Sequence, residues 1–354
     1  MKYKPNWEKI SKKFSAFWKC ENETALMAVP CLKDGAKREQ VKMPKNEDEL
    51  LLWYTDPEII YSRVALRLEN SYLGGEALPV VSTGFGTAGH AKYFANCNYK
   101  ITNDTIWYFP SLNDKKCLNY LGEKSILSTE LSCIGELCRL GQGAFLVAMP
   151  DNCGTMDALA HLRGSENLLE DMILEPDWIK DCIAQIMEGY FHSSKMIFNT
   201  IRENNYGGSS HSWMHLWANG SMQQLQEDFS VMVSAEMFEE FILPELDKAC
   251  KALDYSVYHF DGQEQIRHLD MLLEIKDLNA IQWTPVAGQP PTSHFIPTLK
   301  RIQASGKGLI LIPDKAEVQE LLDKLNPNGL YIIVGNASCE EEAKSILRMR
   351  ATNE

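Results

Sequence analysis

From residue 76 to the C-terminus, short runs rich in β-branched and aromatic residues alternate with stretches of helical period, and few folds tolerate that pattern. Runs at Leu78–Ser82, Thr105–Phe109, Ala144–Pro150, Ser212–Trp217, Ser256–Phe260, Ala280–Pro285, Gly308–Pro313 and Gly329–Val334 read as strands. Eight strands separated by helices is the number that closes a parallel barrel, so the spacing predicts an α/β fold of the (β/α)8 TIM-barrel type. Crossover helices are predicted over Leu168–Tyr190, over Glu236–Leu253 with a restart at Pro244, and over Ala316–Leu325 and Cys339–Met349. Asp314 with Glu317, and Ser338 with Glu341, have the spacing of a capping side chain answered three residues later. Residues 1–75 read as helical: Trp7, Phe14, Phe17 and Trp18 form one apolar stripe, and Asp56-Pro57 opens a helix through Ile60, Val64 and Leu68. This predicts an N-terminal helical extension, 1–75, packed on a barrel of residues 76–354.

Composition narrows the function classes. A hydrophobic content of 45% over 354 residues supplies a full core. A net charge of −13, from 35 basic and 48 acidic residues, sets the chain against nucleic acid or an anionic membrane surface as main partner. No run of about 18 apolar residues occurs, and the N-terminal MKYKPNWEKISKKF has no apolar signal region. None of the ten cysteines forms a C-x-x-C pair, so reduced thiols and a cytoplasmic location are expected.

The stretch Tyr255–Gln289 reads strand, helix, strand, with polar residues and glycines just past each strand. In parallel α/β folds chemistry sits past the carboxyl ends of strands, which directs attention to His259 and Asp261. Their parity matches, so both side chains can face one opening. An imidazole beside a carboxylate can hold a divalent ion, relay a proton or bind substrate; it can also be a buried pair that only stabilises. Gly84–Gly89 matches G-x-G-x-x-G, but no helical period follows, so a glycine-rich barrel loop is expected there and not a dinucleotide site. In His211–Trp217, strand alternation would set His211, Trp213, His215 and Trp217 on one face, with Trp217 at the strand end lining a pocket. Asp228, within Gln226–Ser230, reads equally as pocket loop or solvated surface.

The order GGEALPVV (74–81), LRGSENLLEDMILEPDWI (162–179), QEDFSVMVSAEMFEEFILPEL (226–246) and YHFDG (258–262) resembles the uroporphyrinogen decarboxylase-like superfamily over most of the chain. That superfamily includes uroporphyrinogen decarboxylases, which act in porphyrin metabolism, and zinc-dependent methyltransferases that move methyl groups between corrinoid cofactors and thiols, all on a (β/α)8 barrel. Two positions depart from it. Methyltransferase members carry a His-x-Cys-Gly strand end and a later cysteine; here the positions read His259-Phe260-Asp261-Gly262, with Cys339 as the C-terminal counterpart. The decarboxylases carry an N-terminal arginine-rich segment that clamps carboxylates; here AFWKCENETALMAVP (16–30) has no arginine.

The resemblance implies a methyltransferase acting with a corrinoid-carrying partner. On that basis His259, Asp261 and Cys339 would hold zinc or another divalent metal or orient a nucleophile, while Asp228, Trp217, Trp283, Gln289 and Glu76 would shape the pocket. The alternatives are a decarboxylase of a tetrapyrrole or other carboxylated substrate, or a non-catalytic binding protein. In the decarboxylase, Asp228 or Asp261 would stabilise the intermediate, His259 would deliver the proton, and Arg63, Arg67 or Arg163 would hold the carboxylate. Family members also make a homodimer a reasonable expectation.

Overall fold

The computed structural model describes residues 1–36, 42–83, 89–95, 97–103, 105–113, 118–152 and 154–350. Its parallel strands, numbered here in chain order, are β1 Leu26–Leu32, β2 Val80–Val81, β3 Leu146–Val147, β4 Met222–Gln226, β5 Tyr255–Phe260, β6 Ala280–Trp283, β7 Gly308–Leu311 and β8 Leu330–Ile333. Six of them form one parallel ladder in the order β1-β8-β7-β6-β5-β4. Ser71–Gly75 adds antiparallel to the free edge of β1. β2 and β3 pair in parallel with each other, Val80 opposite Leu146. Residues just past β3 reach toward β4 through the short strand Ser209–His211: Met149 N donates to Ser210 O at 2.9 Å, and Met222 N donates to Ser209 Oγ at 2.7 Å. The result is a mixed α/β architecture with a parallel central sheet, a layout of the α/β-barrel kind.

Eight parallel strands occur among the described residues, but two of them are not the expected ones. Thr105–Phe109 contributes Ile106–Phe109 to an antiparallel hairpin with Asn98–Ile101, outside the parallel ladder. Ser212–Trp217 is not a strand: Ser209–His211 and Leu216–Ala218 pair antiparallel around a turn in which His215 adopts φ 45°. That left-handed residue breaks the alternation on which a single face of His211, Trp213, His215 and Trp217 depended. Their places are taken by β1 and β4. Thus the central sheet begins inside the segment read as a helical extension, and residue 75 does not separate helices from sheet.

The extension does hold for Trp7–Trp18, whose buried Trp7, Ile10, Phe14, Phe17 and Trp18 form the apolar stripe. The Phe14 ring meets Tyr331 of β8 at 5.7 Å, the Trp18 ring meets Tyr255 of β5 at 4.9 Å, and Trp18 Nε1 donates to Trp217 O at 2.9 Å. This helix closes the amino-terminal end of the sheet and leaves the carboxyl end open for a site. Among the described residues no helix is long and apolar enough to cross a membrane.

Candidate functional site

Residues of one strand parity, among them Val257, Ala280, Ile310 and Tyr331, share a core with the helix Trp7–Trp18. Residues of the other parity, among them Tyr258, Phe260, Ile281 and Trp283, pack into the larger core with the covering helices. Followed toward the strand ends, the first parity gives Gln224, Gln226 and then Asp228 along β4, His259 and then Asp261 along β5, and Gln282 and then Thr284 along β6. Three neighbouring strands therefore turn from apolar to polar on one face as they approach their carboxyl ends.

Hydrogen bonds order these groups. Gln224 Nε2 donates to Gln226 Oε1 at 2.7 Å, and Gln226 Nε2 donates to Asp228 Oδ2 at 2.7 Å. Across the ladder, His259 Nδ1 lies 2.5 Å from Gln282 Oε1 and 3.1 Å from Thr284 Oγ1. The Gln282 amide nitrogen donates to Trp283 O at 2.7 Å, so its oxygen is the end that faces His259. The network accordingly assigns the imidazole proton to Nδ1 and leaves the Nε2 lone pair to accept one. The Trp213 ring stands edge-on to His259 at 5.8 Å and to His211 at 4.9 Å. Asp228 feels both His259 and Asp261: burial raises its pKa, the His259 imidazole opposes that rise, and Asp261 adds to it.

Asp228 is held from behind by the helix Thr155–Arg163. Asp157 in its first turn accepts from Asp228 N at 3.0 Å and from Phe229 N at 2.8 Å. In return, Glu227 accepts from Thr155 N at 2.7 Å and Met156 N at 3.1 Å, placing a carboxylate where the helix dipole favours negative charge. Burial, reinforced by the charge of Asp228, pushes Asp157 up to about 7. Beside Asp157 and Asp228 opens a cavity of about 460 Å3, lined also by Tyr108, His161, Phe229 and Met232. The Tyr108 and His161 rings stack at 4.2 Å, and burial lowers His161 to about 4, which keeps it neutral.

No family model and no curated protein matches this chain. A solved structure does: a methyltransferase from Methanosarcina mazei aligns with a TM-score of 0.62 over 97% of this chain and 98% of that one, at 11% sequence identity. The likeness is one of fold.

The expected site residues divide against this frame. His259, Asp261 and Asp228 come together at the carboxyl ends of β4 and β5, close enough for His259 and Asp261 both to act on the Asp228 carboxyl. Trp217 and Trp283 do not join them. Trp217 packs edge-on against Trp7 at 5.1 Å and donates to Asn205 O at 3.0 Å, while Trp283 stacks on Phe260 at 5.2 Å on the helix-covered face. Gln289 Oε1 accepts from Gln263 N at 2.9 Å and so braces the turn after β5. In that turn Gly262 has φ 66°, and a Cβ on it would come within 2.5 Å of the same oxygen. Glu76 lies at the amino-terminal end of β1, buried, accepting from Met27 N at 2.8 Å and paired with Lys13 and Arg350. The aromatic ring beside the imidazole is Trp213, and the polar seam of Gln224, Gln226 and Gln282 was missed altogether. Its signal is the alternation in MQQLQED, where glutamine recurs at period two.

A thiolate-rich metal centre does not fit the residues as they are arranged. Among the described residues, no group of three or more His, Cys, Asp or Glu side chains could hold one ion. Cys339 is the residue that opens the helix Glu340–Met349, and it shares surroundings with Cys31, Asp34 and Glu342. It follows β8, three strands from β5 in the ladder. The G-x-G-x-x-G segment, apart from Gly89, lies outside the described residues.

Proposed function

We propose that this chain is a (β/α)8-barrel enzyme that transfers a methyl group between a small molecule and a corrinoid carried by a partner protein. The observation that carries the proposal is a methyltransferase's fold shared over nearly the full length of both chains, combined with an imidazole held ready to accept a proton where its strand ends. The barrel itself belongs to the proposal: the β2–β3 pair fills the span between β1 and β4. A cavity of about 460 Å3 is of a size that suits a small-molecule ligand.

In such a transfer a thiol or similar acceptor gives its proton to His259 Nε2 while its heteroatom attacks the methyl carbon. The bond from that carbon to the donor breaks, and its electron pair stays with the donor. A positioned general base contributes about 10²–10⁴-fold to a rate. Gln282 and Thr284 fix the ring, and Asp228 lies within electrostatic reach of it. No step is assigned to zinc, because His259, Asp261 and Cys339 do not gather about one point.

Decarboxylation of a tetrapyrrole asks for guanidinium groups directed at carboxylates, and the three arginines considered for that are engaged elsewhere. Arg63 lies over the Trp53 ring and donates to Trp53 O at 2.5 Å, Arg67 donates to Val80 O at 2.7 Å, and Arg163 pairs with Asp171 at 2.7 Å.

The test is the demethylation of methylcobalamin with 2-mercaptoethanol as acceptor, followed by the visible spectrum of the corrinoid. Wild-type protein is expected to accelerate it, and His259→Gln to lose about 10²-fold of that acceleration. Equal rates in the two proteins contradict the role of His259. Carbon dioxide release from a tetrapyrrole carboxylate, without demethylation, moves the assignment to decarboxylation.

A further inference from the structure

Behind the site lies a group of carboxyls that the proposed chemistry does not use. Glu227 is 1% exposed, Glu245 4% and Asp157 7%, and Asp228 adjoins them. Among the described residues none of the four forms an ion pair with lysine, arginine or histidine. Glu227, Glu245 and Asp157 are buried together with no ion-pair partner, and three anions cannot share so dry a site, so they retain at least one proton among them. Both oxygens of Glu227 accept backbone N–H bonds from the first turn of the helix Thr155–Arg163, yet burial and the neighbouring Glu245 raise it well above the ordinary carboxylate range. Glu245, on the helix Leu243–Ala252, lies against the Glu227 carboxyl and the Thr155 side chain, is itself raised by burial, and has one buried oxygen, Oε1, with no partner, so a retained proton fits between the two acids.

We propose that Glu227 and Glu245 share one proton as an acid–carboxylate pair, and that this pair is a positioning device that keeps Asp228 in place. The chain of contacts is short. Glu245 steadies Glu227, Glu227 caps the helix, the capped helix presents Asp157, and Asp157 holds the amides of Asp228 and Phe229. The main chain closes the loop, since Glu227 and Asp228 are consecutive and Gln265 Nε2 donates to Glu227 O at 3.1 Å and to Ser230 Oγ at 2.9 Å. Loss of the shared proton would leave two anions in contact at low dielectric, and Glu227 could not remain at the helix end beside a charged Glu245. The titratable groups facing the pair are Asp157 from that helix, Asp228 from the turn after β4 and Tyr258 from β5, none of them a cation near neutrality. Burial, the largest influence on Glu245, pushes it up to about 8, so the proton stays on at neutral pH. The device concerns how the site is held and stands whether or not methyl is the group transferred.

Hydrogen exchange without substrate tests it, read by mass spectrometry on peptides spanning 155–163 and 226–232 and corrected for intrinsic exchange. Between about pH 6 and pH 9 the wild type is expected to lose roughly tenfold or more of its protection in both segments, while the helix Trp7–Trp18 keeps its own. Glu245→Gln, which keeps a donor for Glu227 but cannot ionise, is expected to hold protection at both pH values. Unchanged protection in the wild type, or an equal loss in Glu245→Gln, overturns the proposal. Should that variant not fold, the infrared carbonyl band of a protonated carboxylic acid decides, read in Asp157→Asn, which removes the other raised acid. A band present at about pH 6 and gone by about pH 9 upholds the shared proton, and its absence at both refutes it.

Discussion

In the proposed transfer His259 would act through the nitrogen it does not use for structure. Its Nδ1 is committed to Gln282 Oε1, so what it can do at Nε2 depends on a residue on the neighbouring strand. Gln282→Leu keeps the bulk and removes the acceptor. The expected result is a roughly tenfold lower methyl-transfer rate with KM little changed, about the worth of one hydrogen bond, measured by steady-state kinetics. A large rise in KM at constant kcat would instead make Gln282 a substrate contact. At this scale the sequence was legible where parity alone decides. His259 and Asp261 stand two apart at a strand end, and both influence the Asp228 carboxyl. Trp217 and Trp283 lie away from the site: an aromatic side chain announces burial, not the face on which it is buried. Trp283 has the opposite parity to Gln282, and Trp217 sits beyond a turn that no period reveals.

Elements were legible in proportion to their local signals. The capping box of Asp314 and Glu317 is present, and Asp56 caps the helix Pro57–Glu69 through Glu58 N and Ile59 N. Ser338 pairs with Glu342 and not with Glu341, and Leu168–Tyr190 is two helices, Ser165–Leu174 and Pro176–Ile201, parted at Glu175 ahead of the proline. β1 escaped notice because Pro30 interrupts LMAVPCL, and β4 because its site-facing residues are glutamines. The helix Trp7–Trp18 fills the end of the sheet opposite the site. Phe14→Ala is therefore expected to cost about 3–5 kcal/mol of stability by denaturant unfolding and to leave the methyl-transfer rate of the folded protein unchanged. A cost under about 1 kcal/mol would show that the helix does not seal the core.

Across the molecule two sets of buried groups pull stability in opposite directions with pH. Asp157 and Glu245, raised by burial to about 7 and about 8, bind protons in the fold that the unfolded chain has released. Their contribution is full below about pH 4 and is lost as pH rises toward about 8. His90, His161 and His215, lowered by burial to about 3, about 4 and about 4, refuse protons that the unfolded chain accepts. Their contribution is full above about pH 6.5 and is lost as pH falls toward about 4. Calorimetry is expected to find a Tm maximum near pH 6, and Glu245→Gln to flatten the decline above it. A Tm that climbs steadily from about pH 6 to about pH 9 contradicts the retained proton. The general architecture could be read from the alternation of strand and helix, but the partner of Asp228 could not, because Asp157 arrives from a helix 71 residues away.

In the proposed reaction His259 and Asp228 work as one unit at the carboxyl ends of β4 and β5. The most direct measurement is a double-mutant cycle on methylcobalamin demethylation with His259→Gln, Asp228→Asn and the combined variant. Each single change is expected to cost roughly 10²-fold, and the double change little more than either alone. Losses that simply multiply, or single variants that retain the wild-type rate, would contradict it.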